Sequence, residues 1–335
     1  MAALIGILKA WLLLACLGWL AAGPAQAQDT PKQEADETLS AIVKVKAKIL
    51  PNARSVATLG PQRQGSGVLI RDQYVLTIGY LVIEAESVEV TGADGKSVPA
   101  TLAGYDHASG FGLLRLIAPL AGKPLPLGDS NALAEREPVM IASFGGGDSV
   151  NLVYVVSRRP FSGSWEYLLE AAIFTYPPVP NWSGAALISS KGELLGVGSL
   201  IVGDAVRPGT QSPGNMFVPI DLLKPILNDL MESGRASGTV RPWLGLNTEE
   251  VRGRLYVSRV SPQGPAERAG VQNGDIVIGV GADEVTSLAE FYGKVWARGA
   301  AGVEIPLKVL QGTQVKEIVV RSIDRLEYFR ARPTY

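Results

Sequence analysis

The sequence predicts a mainly β protein of two domains, a β-sandwich or β-barrel followed by a smaller α+β unit. The chain has 335 residues, and about 100–200 residues per domain is usual. Short runs of β-forming residues, punctuated by glycine, follow one another closely through most of the chain, which is typical of sandwiches and barrels. Towards the C-terminus, such runs alternate with one clearly bounded helical pattern.

The charge balance and the rare residues exclude several classes of function. Lys and Arg number 31 against 32 Asp and Glu, which gives a net charge of −1 and no basic footprint for nucleic acid. A single His and a single Cys exclude the usual zinc sites. No phosphate-binding or dinucleotide-binding motif occurs in a strand–helix context. We therefore expect neither a metal nor a cofactor.

The N-terminus predicts export. Lys9 precedes an apolar run over residues 10–22, and Ala25-Gln26-Ala27 follows. This pattern is that of a signal peptide over residues 1–27, since the run is shorter than the ~20 residues of a membrane span. An uncleaved anchor is the alternative, and we expect no stable span after processing. Residues 28–38 are polar and lack aromatic residues, so we expect a flexible lead-in.

The first domain reads as a series of short strands that ends in a helix. The helix is predicted over residues 221–233, with Asp221 as its cap and Gly234 at its end. Residues 233–239, rich in small and turn-forming types, form a natural linker. The predicted strands cover residues 41–45, 67–70, 74–77, 87–90, 98–102 and 112–116.

The second domain combines strands with one capped helix. Ser287 and Glu290 form a capping box before a helix over residues 288–298, and Gly299 ends it. The predicted strands cover residues 244–250, 255–260, 275–280, 303–310 and 314–321.

Three segments carry a family resemblance. The letters N-W-S-G at residues 181–184 resemble the nucleophile loop of trypsin-like serine proteases. Residues 65–70 and 74–77 resemble the strands that lead to the catalytic His in the HtrA/Deg branch of that class. R-P-W-L-G-L at residues 241–246 is similar to the opening of the PDZ domain of those proteins. The chain therefore resembles the HtrA/Deg family.

This resemblance implies a fold and its boundaries. It implies a trypsin-like double six-stranded β-barrel followed by an α+β PDZ domain. The corresponding ranges are residues 39–236 for the protease-like domain, residues 237–325 for the PDZ domain and residues 326–335 for a C-terminal tail.

The same resemblance places the catalytic positions. Ser183 stands at the nucleophile position, Tyr80 at the position of the general base, and Gly110 at that of the orienting Asp. The amides of Asn181 and Ser183 stand at the oxyanion positions. A Ser hydroxyl needs a base with a pKa near the working pH, and Tyr, with an ordinary pKa of ~10, hydrogen-bonds to it instead. We expect little or no peptidase activity.

His107 is the one imidazole that could replace the missing base. It precedes the Asp position on a polar turn. We expect a solvated side chain that does not reach Ser183.

The PDZ resemblance implies a groove for polypeptide clients or C-terminal peptides, which add as a strand to a sheet edge. Trp243, Leu244, Gly245 and Leu246 are expected to form the carboxylate-binding loop. Gly245 lets backbone approach the ligand. Leu288, Phe291 and Val295 are the groove candidates on the helix. The alternative is a groove that binds nothing external and packs against the protease-like domain.

The leading hypothesis is an exported HtrA-like protease homologue, inactive or very weak, that binds polypeptides in extracytoplasmic protein quality control. An active serine endopeptidase with an unconventional base is the first alternative, and a non-catalytic scaffold is the second. The resemblance implies a homo-oligomer, because members of the family commonly form trimers through aromatic residues near the N-terminus. Residues 28–40 contain no aromatic residue, which argues against a trimer of this kind.

Overall fold

The computed structural model describes residues 29–329, and the predicted signal peptide lies outside these residues. The first element is helix α1, Asp29–Ser40, in the segment for which the sequence predicts a flexible lead-in. The polar residues of this segment include several good helix formers, and Pro31 lies in the first turn, where the missing N–H costs nothing. From Thr38 onward the chain belongs to one structural unit.

The first barrel is closed by pairing between its first and fourth strands, in the order β1-β2-β3-β6-β5-β4. A 3₁₀ turn, Gly79–Leu81, follows the third strand, and a short helix, α2 (Val56–Leu59), lies in the first connection. The inward-facing side chains are buried aliphatic residues. The strands are β1 (Ile42–Ile49), β2 (Gln62–Arg71), β3 (Tyr74–Ile78), β4 (Ala85–Thr91), β5 (Ser97–Tyr105) and β6 (Phe111–Leu116).

The second barrel has the order β10-β11-β12-β9-β8-β7 and closes between β10 and β7. Two closed barrels of six strands each confirm the predicted fold class. The strands are β7 (Pro138–Ala142), β8 (Val150–Gly163), β9 (Tyr167–Tyr176), β10 (Ala186–Ile188), β11 (Leu194–Val202) and β12 (Gly214–Pro219).

The helix predicted over residues 221–233 is shorter than expected. A 3₁₀ turn covers Ile220–Leu222, and helix α3 covers Leu227–Ser233. Asp221 is not the cap, because its carboxylate accepts hydrogen bonds from Ser130 N and Oγ at 2.6 Å each. Gly234 ends the helix as predicted, with a left-handed φ of 78°.

The C-terminal domain is a sheet of order β13-β14-β15-β17-β18, with β16 paired to β15. Strand β13 is therefore an edge strand. Ser287 Oγ accepts from Glu290 N at 3.2 Å, as the capping box predicts, but the helix ends two residues before residue 298. The elements are β13 (Leu246–Val251), β14 (Arg254–Val260), α4 (Pro265–Ala269), β15 (Ile276–Val280), β16 (Asp283–Glu284), α5 (Leu288–Trp296), β17 (Glu304–Gln311), β18 (Gln314–Arg321) and α6 (Arg325–Tyr328).

Over residues 29–329, no helix combines the length and the apolar character of a membrane span. The same residues contain no cluster of His, Cys, Asp or Glu side chains suited to a metal ion.

Candidate functional site

Ser183 lies in a tight turn between β9 and β10, against the first barrel. Its carbonyl oxygen accepts a hydrogen bond from Ser66 N at 2.8 Å. The next residue, Gly184, has a φ of 71°, and a Cβ there would lie 2.0 Å from the carbonyl oxygen of Ser66. Only glycine fits this conformation at this distance. The backbone around Ser183 is therefore fixed by the packing of one barrel on the other.

A buried amide fixes the segment that leads to this turn. Asn215 on β12 is fully buried. Its Oδ1 accepts from Val179 N at 2.7 Å, and its Nδ2 donates to Val179 O at 3.0 Å. One side chain thus satisfies both main-chain groups of Val179, as burial requires. Asn215 is a positioning residue for the Ser183 turn.

Tyr80 lies in the 3₁₀ turn after β3 and reaches Ser183. Its hydroxyl donates to Ser183 Oγ at 2.9 Å and to the carbonyl oxygen of Ser199 at 2.9 Å, so a single hydrogen is shared between two acceptors. Burial raises the pKa of Tyr80 to about 12, and the hydrogen bond with Ser183 offsets part of that rise. At neutral pH the phenol is therefore protonated, and it cannot accept the Ser183 proton as a base would.

Gly110 lies beside the turn that contains Tyr80, and its carbonyl oxygen accepts from Gly79 N at 2.7 Å. It has no carboxylate to offer, and the space next to it belongs to Tyr167. A Cβ at Gly110 would lie 3.4 Å from Tyr167 Oη, and that hydroxyl donates to Ser109 O at 2.6 Å. Asp106, the nearby acid, accepts from Ser109 N and Oγ instead.

The two oxyanion positions differ in exposure. Asn181 is exposed and Ser183 is half-buried. Within residues 29–329, neither amide N–H has a hydrogen-bond acceptor, which is the state that an oxyanion hole needs. Neither residue has a positive φ, and the left-handed conformation in this turn is that of Gly184.

The expected solvation of His107 is wrong. Its ring lies between Tyr105 and Phe329, at centroid distances of 4.4 and 5.7 Å. Both ring nitrogens are buried without a hydrogen-bond partner among the described residues. Burial, with the nearby charges of Arg325 and Arg235, lowers its pKa well below the ordinary value. A neutral imidazole held in this stack makes no hydrogen bond to Ser183.

The loop expected to bind a carboxylate does bind one, and the carboxylate belongs to the chain itself. Leu244 N, Gly245 N and Leu246 N donate to the Glu166 carboxylate at 2.9, 2.7 and 2.9 Å. Glu166 lies in the connection between β8 and β9 and is buried. Burial raises the pKa of its carboxyl, and the hydrogen bonds from the loop offset part of that rise.

Two residues of this loop differ from expectation. Trp243 N pairs with Ile323 O at 3.0 Å and does not face the carboxylate. Gly245 has a φ of 84°, and a Cβ there would contact Ser261 and Trp243 rather than the ligand. Its conformation, rather than space for a ligand, is what requires glycine at this position.

The helix side of the groove adds a fourth residue to the three that the sequence predicts. Leu288, Phe291 and Val295 are buried in the core of the C-terminal domain. Tyr292 contacts the segment that carries Glu166: its hydroxyl donates to Gly163 O at 2.7 Å and accepts from Glu166 N at 3.3 Å.

Comparison with known proteins agrees with this architecture. The chain matches the model of the trypsin-like peptidase domain over residues 65–197 and that of the PDZ domain over residues 242–321. A probable periplasmic serine protease do/HhoA-like of Haemophilus influenzae is 29% identical over 275 residues, which are 77% of this chain and 57% of the relative. A probable periplasmic serine endoprotease DegP-like of Pseudomonas fluorescens is 29% identical over 274 residues, 77% of this chain and 55% of the relative.

In its two domains and in these relatives, the chain is similar to the HtrA/Deg family. It spans a little over half the length of these two relatives. Solved structures of the family share its fold. The serine endoprotease from Yersinia pestis has a TM-score of 0.51 at 23% identity, over 88% of this chain and 97% of the other. The HtrA-type protease AlgW with tripeptide has a TM-score of 0.52 at 20% identity, over 90% and 98%.

Several residues of this HtrA/Deg homologue were missed by sequence reasoning. Asn215 is a single amide in an otherwise apolar strand, and this contrast is a usable signal for a buried polar contact. Glu166 and Tyr167 lie in a hairpin with no local feature that points to a distant loop or to Gly110. Tyr292 is one of the buried residues of α5, and no local feature marks its hydroxyl as a contact.

Proposed function

We propose that this HtrA/Deg homologue is an exported protein with little or no peptidase activity that binds polypeptides through its PDZ domain in extracytoplasmic protein quality control. The observation that supports the catalytic part is the 2.9 Å hydrogen bond between Tyr80 Oη and Ser183 Oγ. A protonated phenol stands where the chemistry needs a base, and Gly110 offers no carboxylate to orient one.

The remaining features of the serine site set an upper limit on activity. Loss of triad members leaves about 10³–10⁴-fold acceleration over water when binding and oxyanion stabilisation survive. The free amides of Asn181 and Ser183 are compatible with such residual activity. They are also the observation that favours the alternative of an active endopeptidase with an unconventional base.

Extracytoplasmic location is supported by the signal-peptide pattern over residues 1–27 and by relatives whose names describe them as periplasmic. Peptide binding is supported by the three convergent amides of residues 244–246, which suit a carboxylate.

The test of catalysis is labelling of the purified protein with a fluorophosphonate, together with hydrolysis of unfolded casein. We expect no labelling and no cleavage above the Ser183→Ala variant, which is the matched control. Cleavage that Ser183→Ala abolishes would establish the active-enzyme alternative. A protein that neither cleaves nor binds any polypeptide would instead fit the scaffold alternative.

A further inference from the structure

The connection between β8 and β9 enters the groove of the PDZ domain. We define the 163–167 turn as Gly163, Ser164, Trp165, Glu166 and Tyr167. Within it, Glu166 has a φ of 57°, a left-handed conformation that is uncommon for a residue with a long side chain. A glycine or asparagine would adopt this conformation more easily. The presence of Glu at this position therefore needs a reason other than the geometry of the turn.

The contacts of the turn supply that reason. The Glu166 carboxylate receives hydrogen bonds from the amides of Leu244, Gly245 and Leu246, at distances down to 2.7 Å. Among the described residues, only main-chain amides donate to it. Three amides that converge on one carboxylate form the arrangement that captures the free end of a peptide.

The turn also makes a main-chain hydrogen bond of the kind that a bound peptide makes with a PDZ domain. Thr248 N on edge strand β13 donates to Ser164 O at 2.8 Å, which is the hydrogen bond of a strand added to a sheet edge. From the opposite wall, Tyr292 Oη on α5 donates to Gly163 O at 2.7 Å. The carboxylate loop, the edge strand and the helix are therefore all engaged by one segment of the second barrel.

We propose that Glu166 is an internal ligand of the PDZ carboxylate site, so that a C-terminal peptide binds only when the 163–167 turn leaves the groove. This inference rests on the proposed peptide binding. Because the turn belongs to the same chain, its effective concentration at the groove is high, on the order of millimolar or more. The apparent affinity for an external peptide is reduced by the fraction of molecules in which the groove is open.

The turn links the groove to the serine site. Tyr167 follows Glu166 directly, and its hydroxyl donates to Ser109 O at 2.6 Å, next to Gly110. Withdrawal of Glu166 from the loop therefore pulls on a residue that packs against the position of the missing Asp. Peptide binding is expected to change the surroundings of Gly110 as well as the groove.

The test compares the purified wild-type protein with Glu166→Gln, which removes the charge at nearly constant size. Glu170→Gln, at an exposed residue of β9, is the matched control. Binding is measured by fluorescence anisotropy with labelled peptides that end in each apolar residue, as free acids and as amides. Amide hydrogen exchange of Leu244, Gly245 and Leu246 is measured without peptide.

We expect Glu166→Gln to bind free-acid peptides at least about tenfold more tightly than wild type and Glu170→Gln, and to lose protection at the three amides. Glu166→Asp keeps the charge on a shorter side chain, and its peptide affinity should lie between those of wild type and Glu166→Gln. This intermediate value distinguishes the loss of the internal ligand from a general loss of folding. Equal affinity of wild type and Glu166→Gln, or equal exchange at the three amides, would overturn the proposal. If the amides are protected only when Glu166 is present and no peptide binds any variant, the internal ligand stands and the proposed peptide binding fails.

Discussion

The hydroxyl of Tyr80 meets Ser183 Oγ at an ordinary hydrogen-bond distance of 2.9 Å, inside a largely buried site. Because desolvation disfavours the charged phenolate, the pKa of Tyr80 rises to about 12. Burial therefore keeps the proton on the Tyr80 hydroxyl. At the scale of a single residue, the position retains its contact with Ser183 and loses the capacity to accept a proton.

The pKa of Tyr80 predicts a pH dependence of stability. Its value in the folded protein, about 12, lies above the ordinary value of 10. The contribution to stability is therefore complete below pH 10 and is lost as the pH rises to about 12, by about 2–3 kcal/mol. Urea unfolding should show that the difference between wild type and Tyr80→Phe shrinks over this range. Tyr154→Phe, at an exposed residue, should follow wild type, and a constant difference for Tyr80→Phe would contradict the assignment.

The lowered pKa of His107 predicts that the stability of the protein falls at acidic pH. Burial and two nearby arginines lower its pKa well below 6.5. Its contribution to stability is present above pH 6.5 and is lost as the pH falls through the lowered value. As the chain has one His, the imidazole NMR signal is unambiguous and should not titrate near pH 6.5. His107→Gln should flatten the fall in stability below pH 6.5. A midpoint near 6.5 would show a solvated ring.

At the scale of elements, the Ser183 turn depends on β12, the strand that pairs with β9 in the same barrel. Asn215 on β12 holds both main-chain groups of Val179, four residues before Ser183. Neither group can turn to water, since Val179 and Asn215 are both buried. The position of Ser183 is thus set by an amide that does not touch it.

Replacement of Asn215 by Ala should therefore be costly. It leaves a buried N–H and a buried C=O of Val179 without partners, and we expect a loss of about 2–4 kcal/mol in the free energy of unfolding. Asn247→Ala, at a half-buried residue that binds Arg259 with its side chain, should cost about 1 kcal/mol or less. Equal losses for the two variants, measured by urea denaturation, would show that the contact with Val179 is not needed.

Local sequence patterns predicted most elements, and they failed where a distant contact decides the structure. The strands around Val75 and Val257 follow from alternation and glycine punctuation, and the capping box at Ser287 predicted its helix. The predicted helix start at residue 221 is too early, because the Asp221 carboxylate accepts a hydrogen bond from Ser130 N, at a separation of 91 residues, instead of capping the helix. The Glu166 contact with Leu244, at a separation of 78 residues, has no local signature at all.

At the scale of the whole molecule, two barrels and a PDZ domain are arranged so that the second barrel supplies both the Ser183 turn and the occupant of the groove. The proposed export concerns the segment before these domains. Lys9, the apolar run after it and Ala25-Gln26-Ala27 form the pattern of a cleavable signal peptide.

Export predicts a mature protein that begins at Gln28. N-terminal sequencing of the protein from an extracytoplasmic fraction checks this directly. A cleavage site that is blocked by Ala27→Leu, with Ala22→Leu as the control inside the apolar run, should leave a longer, unprocessed chain. Recovery of an intact Met1 terminus from a soluble cytoplasmic fraction would contradict the proposal.

Strand β13 lies at the open edge of the PDZ sheet, and the 163–167 turn supplies a carbonyl to its Thr248 amide. Unpaired edges are where sheets of different molecules join and aggregate. The turn that closes the groove therefore also shields this edge from a second copy of the protein. Any ligand that displaces the turn must take over this protection, and an opened protein without ligand should show edge-to-edge self-association at high concentration.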